Sequence, residues 1–171
     1  LDHLGDQAGM SLDASPQETP SPVLSASPRT SSAPDRTFRT RSSYRAFTSA
    51  ALATLVDEGR LSWDDRVQDH LPWFQVYDTW VSREMRIRDL LSHRSGLGTY
   101  SGDLLWYGTT YSAEEVIRRA RHVPQAASFR ASYGYSNLMF ITAGLVLEAV
   151  TGESWAEYVS TRFLGPLGMD R

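Results

Sequence analysis

Ser42-Ser43-Tyr44-Arg45 puts a basic residue three positions after a serine, at the start of a helical pattern. Unpaired backbone N–H groups and the helix dipole favour negative charge there, which suits an attacking alkoxide and the oxyanion formed next. A residue three positions on lies one turn along the same face, within reach of the serine hydroxyl. The usual base at that spacing is lysine, which can lose its proton when desolvated. Arginine keeps its proton under ordinary conditions. Arg45 can orient Ser42 or hold a nearby phenolate by its charge, but it cannot take the serine proton. Read without context, a serine at a helix start is more often a plain N-cap.

A second cluster is Tyr133-Gly134-Tyr135-Ser136-Asn137, which opens an apolar helix. On the residues alone, the tyrosines read as packing groups and Ser136 or Asn137 as a helix cap. His93, beside Arg94-Ser95, invites a catalytic triad. A triad is defined by geometry and by an orienting acid, so His93 reads as structural. His3, His70, His93 and His122 show no H-x-x-x-H spacing, so neither a metal nor a cofactor is expected. Asp64 and Asp65 could suggest a glycosidase pair. Their place after Ser62-Trp63 reads better as dipole compensation at a helix start. Trp106 and Tyr107 fall in a loop with Gly98, Gly102 and Gly108 that could wall a substrate cleft.

These residues need helices to position them. The pattern predicts a helix over 43–59, with Phe47, Ala51, Leu55 and Val56 on one face and Gly59 as its stop. Asp64–Leu71 reads as a short helical turn ending at Pro72, and Ile87–His93 as a short helix stopped by Ser95-Gly96. Ser112 with Glu115 forms a capping-box pattern that opens a helix to about Arg121. Ser136–Thr151 is a strongly apolar helix closed by Gly152. Ser154 with Glu157 repeats the capping box and opens a last helix that ends near Gly165-Pro166. Convincing strands are few, so the expectation is a mainly helical chain.

Residues 1–37 differ from the rest. They hold five of the eight prolines and many serines, with no helical or strand period. Such a segment buries too little apolar surface to offset its ordering entropy and is expected to be disordered. The expected organisation is a tail over 1–37 and one domain over 38–171. Net charge is −3, which gives no argument for nucleic acid. Cysteine is absent, which excludes disulfides and thiolate metal sites. No apolar run approaches the roughly 20 residues that span a bilayer, and no secretory signal is visible. All 17 basic residues are arginine, so no lysine is available to any mechanism.

Several segments carry a family resemblance. Pro34–Ser42 looks like the "PDTLFRIAS" lead-in of the serine β-lactamase-like hydrolases, relatives of penicillin-binding proteins and esterases. Ala46–Leu52 looks like their "KAFTAAAL" helix, and Leu55–Asp65 is similar to "LVDEGKLSWDD". Arg88–Leu97 matches "RDLLSHRSGL" without a change, and Gly165–Met169 resembles "EPLGM". The resemblance runs over about 34–171 and implies the β-lactamase/transpeptidase-like α/β fold, of which this chain would be mostly the α-helical part. It aligns Ser42 with the nucleophile and Arg45 with the family's lysine. It gives Tyr135 the role of the proton-passing tyrosine and Asn137 that of the amide that binds substrate. It leaves His93 in a structural turn. The implied substrate is a small amide or ester, attacked through a serine acyl-enzyme.

Two departures qualify that implication. Arg45 replaces the base. No counterpart is found for the family's late strand with its His/Lys-x-Gly motif, nor for the N-terminal strands of the same sheet. The expectation is therefore an impaired serine hydrolase, or alternatively a non-catalytic remnant. Helices that lack their sheet should leave an apolar face exposed.

Overall fold

The computed structural model describes residues 42–169, with the side chain of Ser42 outside that description. The segment 1–37, the 34–41 lead-in and the Ser42 hydroxyl, on which expectations were placed above, lie outside the described residues. Those described belong to the unit Ser32–Arg171. Among them no strand occurs, only isolated antiparallel bridges at Arg66–Arg86 and Leu97–Gln125.

Helix α1 spans Ser42–Asp57. It buries Tyr44, Thr48, Ala51, Leu52 and Leu55, a stripe at helical spacing. This face is turned slightly from the expected one, since Phe47 and Val56 pack only partly against the core. Gly59 takes φ +69, a left-handed turn that costs a residue without Cβ little, and the chain reverses there. Helix α2 is the short Val67–His70, so the predicted turn is helical over its second half only. The backbone explains this: Val67 N–H donates to Met85 O and Ile87 N–H to Asp65 O, which pairs this stretch with the next one.

Asp64 and Asp65 therefore do not sit in a first helical turn, and that expectation is corrected. Asp64 receives Arg86 at 3.1 Å and Arg88 at 2.5 Å. Asp65 accepts from Ser62 N at 2.8 Å and lies 3.2 Å from His70 Nε2. Both aspartates cross-link the loop.

Helix α3, Thr79–Glu84, was not foreseen; Asp78 caps it by accepting from Val81 N at 2.8 Å. Helix α4 covers Ile87–Leu91, shorter than predicted because His93 adopts φ +57 and breaks the helical path. A 3₁₀ turn follows at Asp103–Leu105. Helix α5, Ala113–Ala120, starts on Ser112, whose hydroxyl accepts from Glu115 N at 3.2 Å. The reciprocal half of that box is replaced, because Glu115 pairs instead with Arg119 at 2.7 Å.

Helix α6, Asn137–Thr151, is the centre of the fold, closed by Gly152 at φ +77. It packs against α1, α2, α4, α5 and α7. Helix α7, Trp155–Val159, opens on the reciprocal Ser154–Glu157 box and runs on as a π turn over Ser160–Leu164. Trp155 Nε1 donates to Thr48 Oγ1 at 2.9 Å, and its ring lies 4.5 Å from Tyr44, tying α7 to α1.

An open apolar helix face was expected and is not what the described residues present. Leu138 to Leu147 are enclosed by the surrounding helices, apart from a partly buried Leu145, and the exposed large apolar side chains stand mainly on loops: Tyr100, Leu104, Tyr107 and Tyr133 among them. No single helix among the described residues is long and apolar enough to cross a membrane.

Candidate active site

Two helix beginnings meet at this site. Arg45 lies one turn into α1, and Asn137 is the first residue of α6. Arg45 Nη2 donates to Asn137 Oδ1 at 2.5 Å across 92 residues of chain. The same guanidinium carbon sits 4.2 Å from the centroid of the Tyr135 ring and 5.5 Å from that of Phe140. Positive charge over a ring face is attracted by the quadrupole of the π system. Three of the four residues picked from the sequence thus meet, with Arg45 touching both Tyr135 and Asn137. The fourth, Ser42, begins α1 one turn before Arg45.

The helix-capping alternative for this segment fails on geometry. Ser136 occupies the N-cap position of α6 but makes no side-chain cap bond. Asn137 uses both ends of its amide elsewhere: Oδ1 on Arg45 and Nδ2 on Asp103 Oδ2 at 2.8 Å. Asp103 in turn accepts from Trp106 Nε1 at 3.2 Å through its other oxygen. Sequence reasoning missed Asp103. Its only signal is a glycine before it and a tryptophan three residues after, and nothing along the chain links it to a residue 34 positions away.

The RDLLSHRSGL segment cradles the tyrosine segment. Arg130 N–H donates to Arg94 O at 2.8 Å, Gly134 N–H to His93 O at 2.8 Å, and Ala126 and Ala127 N–H both to Gly96 O. Gly134 must be glycine, because a Cβ there would stand 2.2 Å from Leu97 O. Arg130 clamps the same segment to α4, donating to Asp89 Oδ1 at 2.9 Å and Oδ2 at 2.6 Å. Asp89 also accepts from Arg86 N at 2.9 Å, capping α4.

His93 lies inside this cradle. Its Nδ1 accepts from Ser136 N at 3.1 Å, which assigns the ring proton to Nε2 when the ring is neutral. Its ring stacks on Tyr135, centroids 4.9 Å apart and planes 24° from parallel. Burial lowers its pKa below the ordinary value, and the nearby Arg45 charge lowers it further. Among the described residues no carboxylate is bonded to its ring. His93 thus supports Tyr135 from behind.

Of the glycine-rich loop, Trp106 is half-buried and engaged with Asp103, while Tyr107 is exposed with its ring edge toward Trp106. Tyr100 joins the site more closely: its N–H donates to Tyr135 O at 2.9 Å, and its ring meets the Tyr135 ring edge-on at 5.0 Å. A cavity of about 430 Å³ lined by Arg86, Arg88, Arg94 and Arg130 with Asp64, Asp89 and Ser92 contains none of the candidate residues. Among the described residues no group of three or more His, Asp or Glu is placed to hold a metal ion.

Chemically, the arrangement offers a fixed cation, an amide held at both ends and a phenol whose ring faces that cation. It offers no neutral amine. Known proteins resemble this chain in sequence and in fold. The chain is 34% identical over 156 residues to the unguisins hydrolase ungD' of Aspergillus campestris, covering 86% of this chain and 29% of that protein. It is 31% identical over 140 residues to penicillin-binding protein 4 of Amycolatopsis lactamdurans, covering 79% and 35%. The chain thus spans about a third of the length of these curated relatives. Among solved structures, the D-stereospecific amidohydrolase from Streptomyces sp. superimposes with a TM-score of 0.63 at 31% identity, over 76% of this chain and 42% of that one. The D-amino acid amidase of Ochrobactrum anthropi gives 0.63 at 27%, over 77% and 36%. A family model described as Beta-lactamase matches residues 13–171, and the chain belongs to that family.

Proposed function

We propose that Ser42, Arg45, Tyr135 and Asn137 form a serine acyl-transfer site for a small amide or ester, working without an efficient base. The observation that carries this reading is the Arg45 guanidinium, bonded to Asn137 at 2.5 Å and lying over Tyr135. It occupies the position that resemblance gives to the family's lysine, between the serine helix and the tyrosine segment. Attack would form a bond from Ser42 Oγ to the acyl carbon and release the amine or alcohol, and water would then free the acid. The serine proton needs an acceptor in the first step. A guanidinium does not supply one, so the first step is the slow one. A well-placed general base contributes about 100- to 10,000-fold, which sets the size of the deficit. The nature of the relatives, named as amidases, hydrolases and penicillin-binding proteins, supports amides and esters as the substrate class.

One observation favours a second reading, a domain that binds without reacting: Arg45 occupies an acceptor site of the very amide assigned to substrate. The two readings part on covalent chemistry. Incubation with a fluorophosphonate probe, followed by peptide mass spectrometry, should give a slow adduct on Ser42 that is absent from Ser42→Ala. An unmodified Ser42 after prolonged incubation would favour the binding domain.

A further inference from the structure

Asp103 belongs to no motif of the chain, yet its carboxylate is the second partner of Asn137. We infer that Asp103 is a positioning residue: it fixes the direction of the Asn137 amide and, through that amide, the place of Arg45. The two ends of an asparagine amide are told apart by their hydrogen-bond partners, and here both partners are charged. The guanidinium, which only donates, meets Oδ1 at 2.5 Å. The carboxylate, which when ionised only accepts, meets Nδ2 at 2.8 Å. A flipped amide would set NH2 against the guanidinium and carbonyl against the carboxylate, replacing two charge-assisted bonds with two contacts of like polarity.

Asp103 is itself held. Trp106 Nε1 donates to its Oδ1 at 3.2 Å, and the 3₁₀ turn fixes its backbone. Gly102, at φ +81, lets this loop close on α6. A Cβ there would stand 2.6 Å from Leu138 Cδ1 and 3.0 Å from Val123 Cγ2. The loop is seated a second time where Tyr100 N–H reaches Tyr135 O. The consequence for binding is directional. Asn137 keeps one N–H and one lone pair for a ligand amide, aimed by two fixed charges. This use of Asn137 rests on the proposed function; the hold of Asp103 on the amide does not.

The test is hydrogen exchange at the Asn137 side-chain amide, followed by NMR on the ¹⁵N-labelled 171-residue chain. In the wild type, one of the two protons should exchange slowly. Asp103→Ala should speed that exchange at least about tenfold, the effect of losing a hydrogen bond to a charged group. Asp103→Glu should restore a substantial part of the protection, which a merely space-filling role would not predict. Should the alanine variant fail to fold, Asp103→Asn removes the charge with little change of shape; it keeps a carbonyl acceptor, so it should lose part of the protection. Exchange in Asp103→Ala or Asp103→Asn equal to wild type, or no rescue by glutamate, overturns the inference. The readout needs no reaction at Ser42, and Ser42→Ala should give wild-type values. A Ser42 that accepts no acyl group would therefore sink the proposed function without touching this result.

Discussion

Replacing Arg130 by alanine should be among the more damaging single changes outside the helical core, and its cost can be worked out. Asp89 has a side chain only 6% exposed, while that of Arg130 is 41% exposed. The carboxylate accepts three bonds, two from Arg130 and one from Arg86 N. Alanine removes these two bonds and a third from Nη2 to Glu84 O at 3.1 Å, and leaves a nearly buried carboxylate with one. Breaking a fully buried pair in this way costs about 3–5 kcal/mol. The exposed half of Arg130 already shares its charge with water, and water can enter the vacated space, so about 2–3 kcal/mol is the better figure. Alanine keeps the positive φ of 63 at this position, so backbone strain stays in place. At about 2–4 °C per kcal/mol for a chain of this size, the melting temperature should fall by roughly 4–12 °C. Thermal denaturation followed by circular dichroism reads this directly. Adding Asp89→Asn should cost less in the Arg130→Ala background than in wild type, by at least about 1 kcal/mol. A melting shift under about 1 °C would refute the clamp.

Two further outcomes follow from the cradle around Tyr135, and a third from the tie between α1 and α7. Gly134→Ala should force the tyrosine segment off Leu97 O, because the new Cβ would meet it at 2.2 Å; we expect a loss of about 1–3 kcal/mol, and a melting curve matching wild type would contradict it. His93 has a folded pKa depressed by burial and then by Arg45, so its neutral form contributes stability that is present above about 6.5 and lost as pH falls through the folded value. NMR titration should place His93 below 6.5, and His93→Asn, which keeps an acceptor and tolerates the left-handed backbone, should flatten that acid-side loss; a His93 titrating above 6.5 would reverse the sign. Trp155→Phe should cost about 1–3 kcal/mol, as the Thr48 bond is lost in a buried site, measured by urea denaturation.

The two long helices were legible because they had room for a period and a stop: α6 shows its apolar run and Gly152, and α1 its stripe and Gly59. The five-residue α7 was legible from its Ser154–Glu157 box instead. Helix α3 and the 3₁₀ turn were missed because six and three residues are too few for a 3.6-residue period to register and neither carries a capping box or a glycine stop. Asp78, an N-cap residue, was the one local clue to α3. At the site, Arg45, Tyr135 and Asn137 could be picked from their motifs. Their partners could not. Asp103 reaches Asn137, and Asp89 reaches Arg130 over 41 residues, through tertiary closure that leaves no periodic trace. His93 was read as structural from the lack of an orienting acid, and its bond from Ser136 N supplies the reason it stands there.

The central claim is that a guanidinium holds the place of the base beside Ser42 and cannot take its proton. The most direct measurement is steady-state turnover of nitrocefin and of a p-nitrophenyl ester by the purified chain, beside Ser42→Ala. The account predicts slow turnover that is lost in Ser42→Ala and lies about 100- to 10,000-fold below that of a family hydrolase that carries the lysine. Turnover as fast as that of such a hydrolase, saturable and abolished by Ser42→Ala, would contradict the account and show that Tyr135 or another group activates the serine.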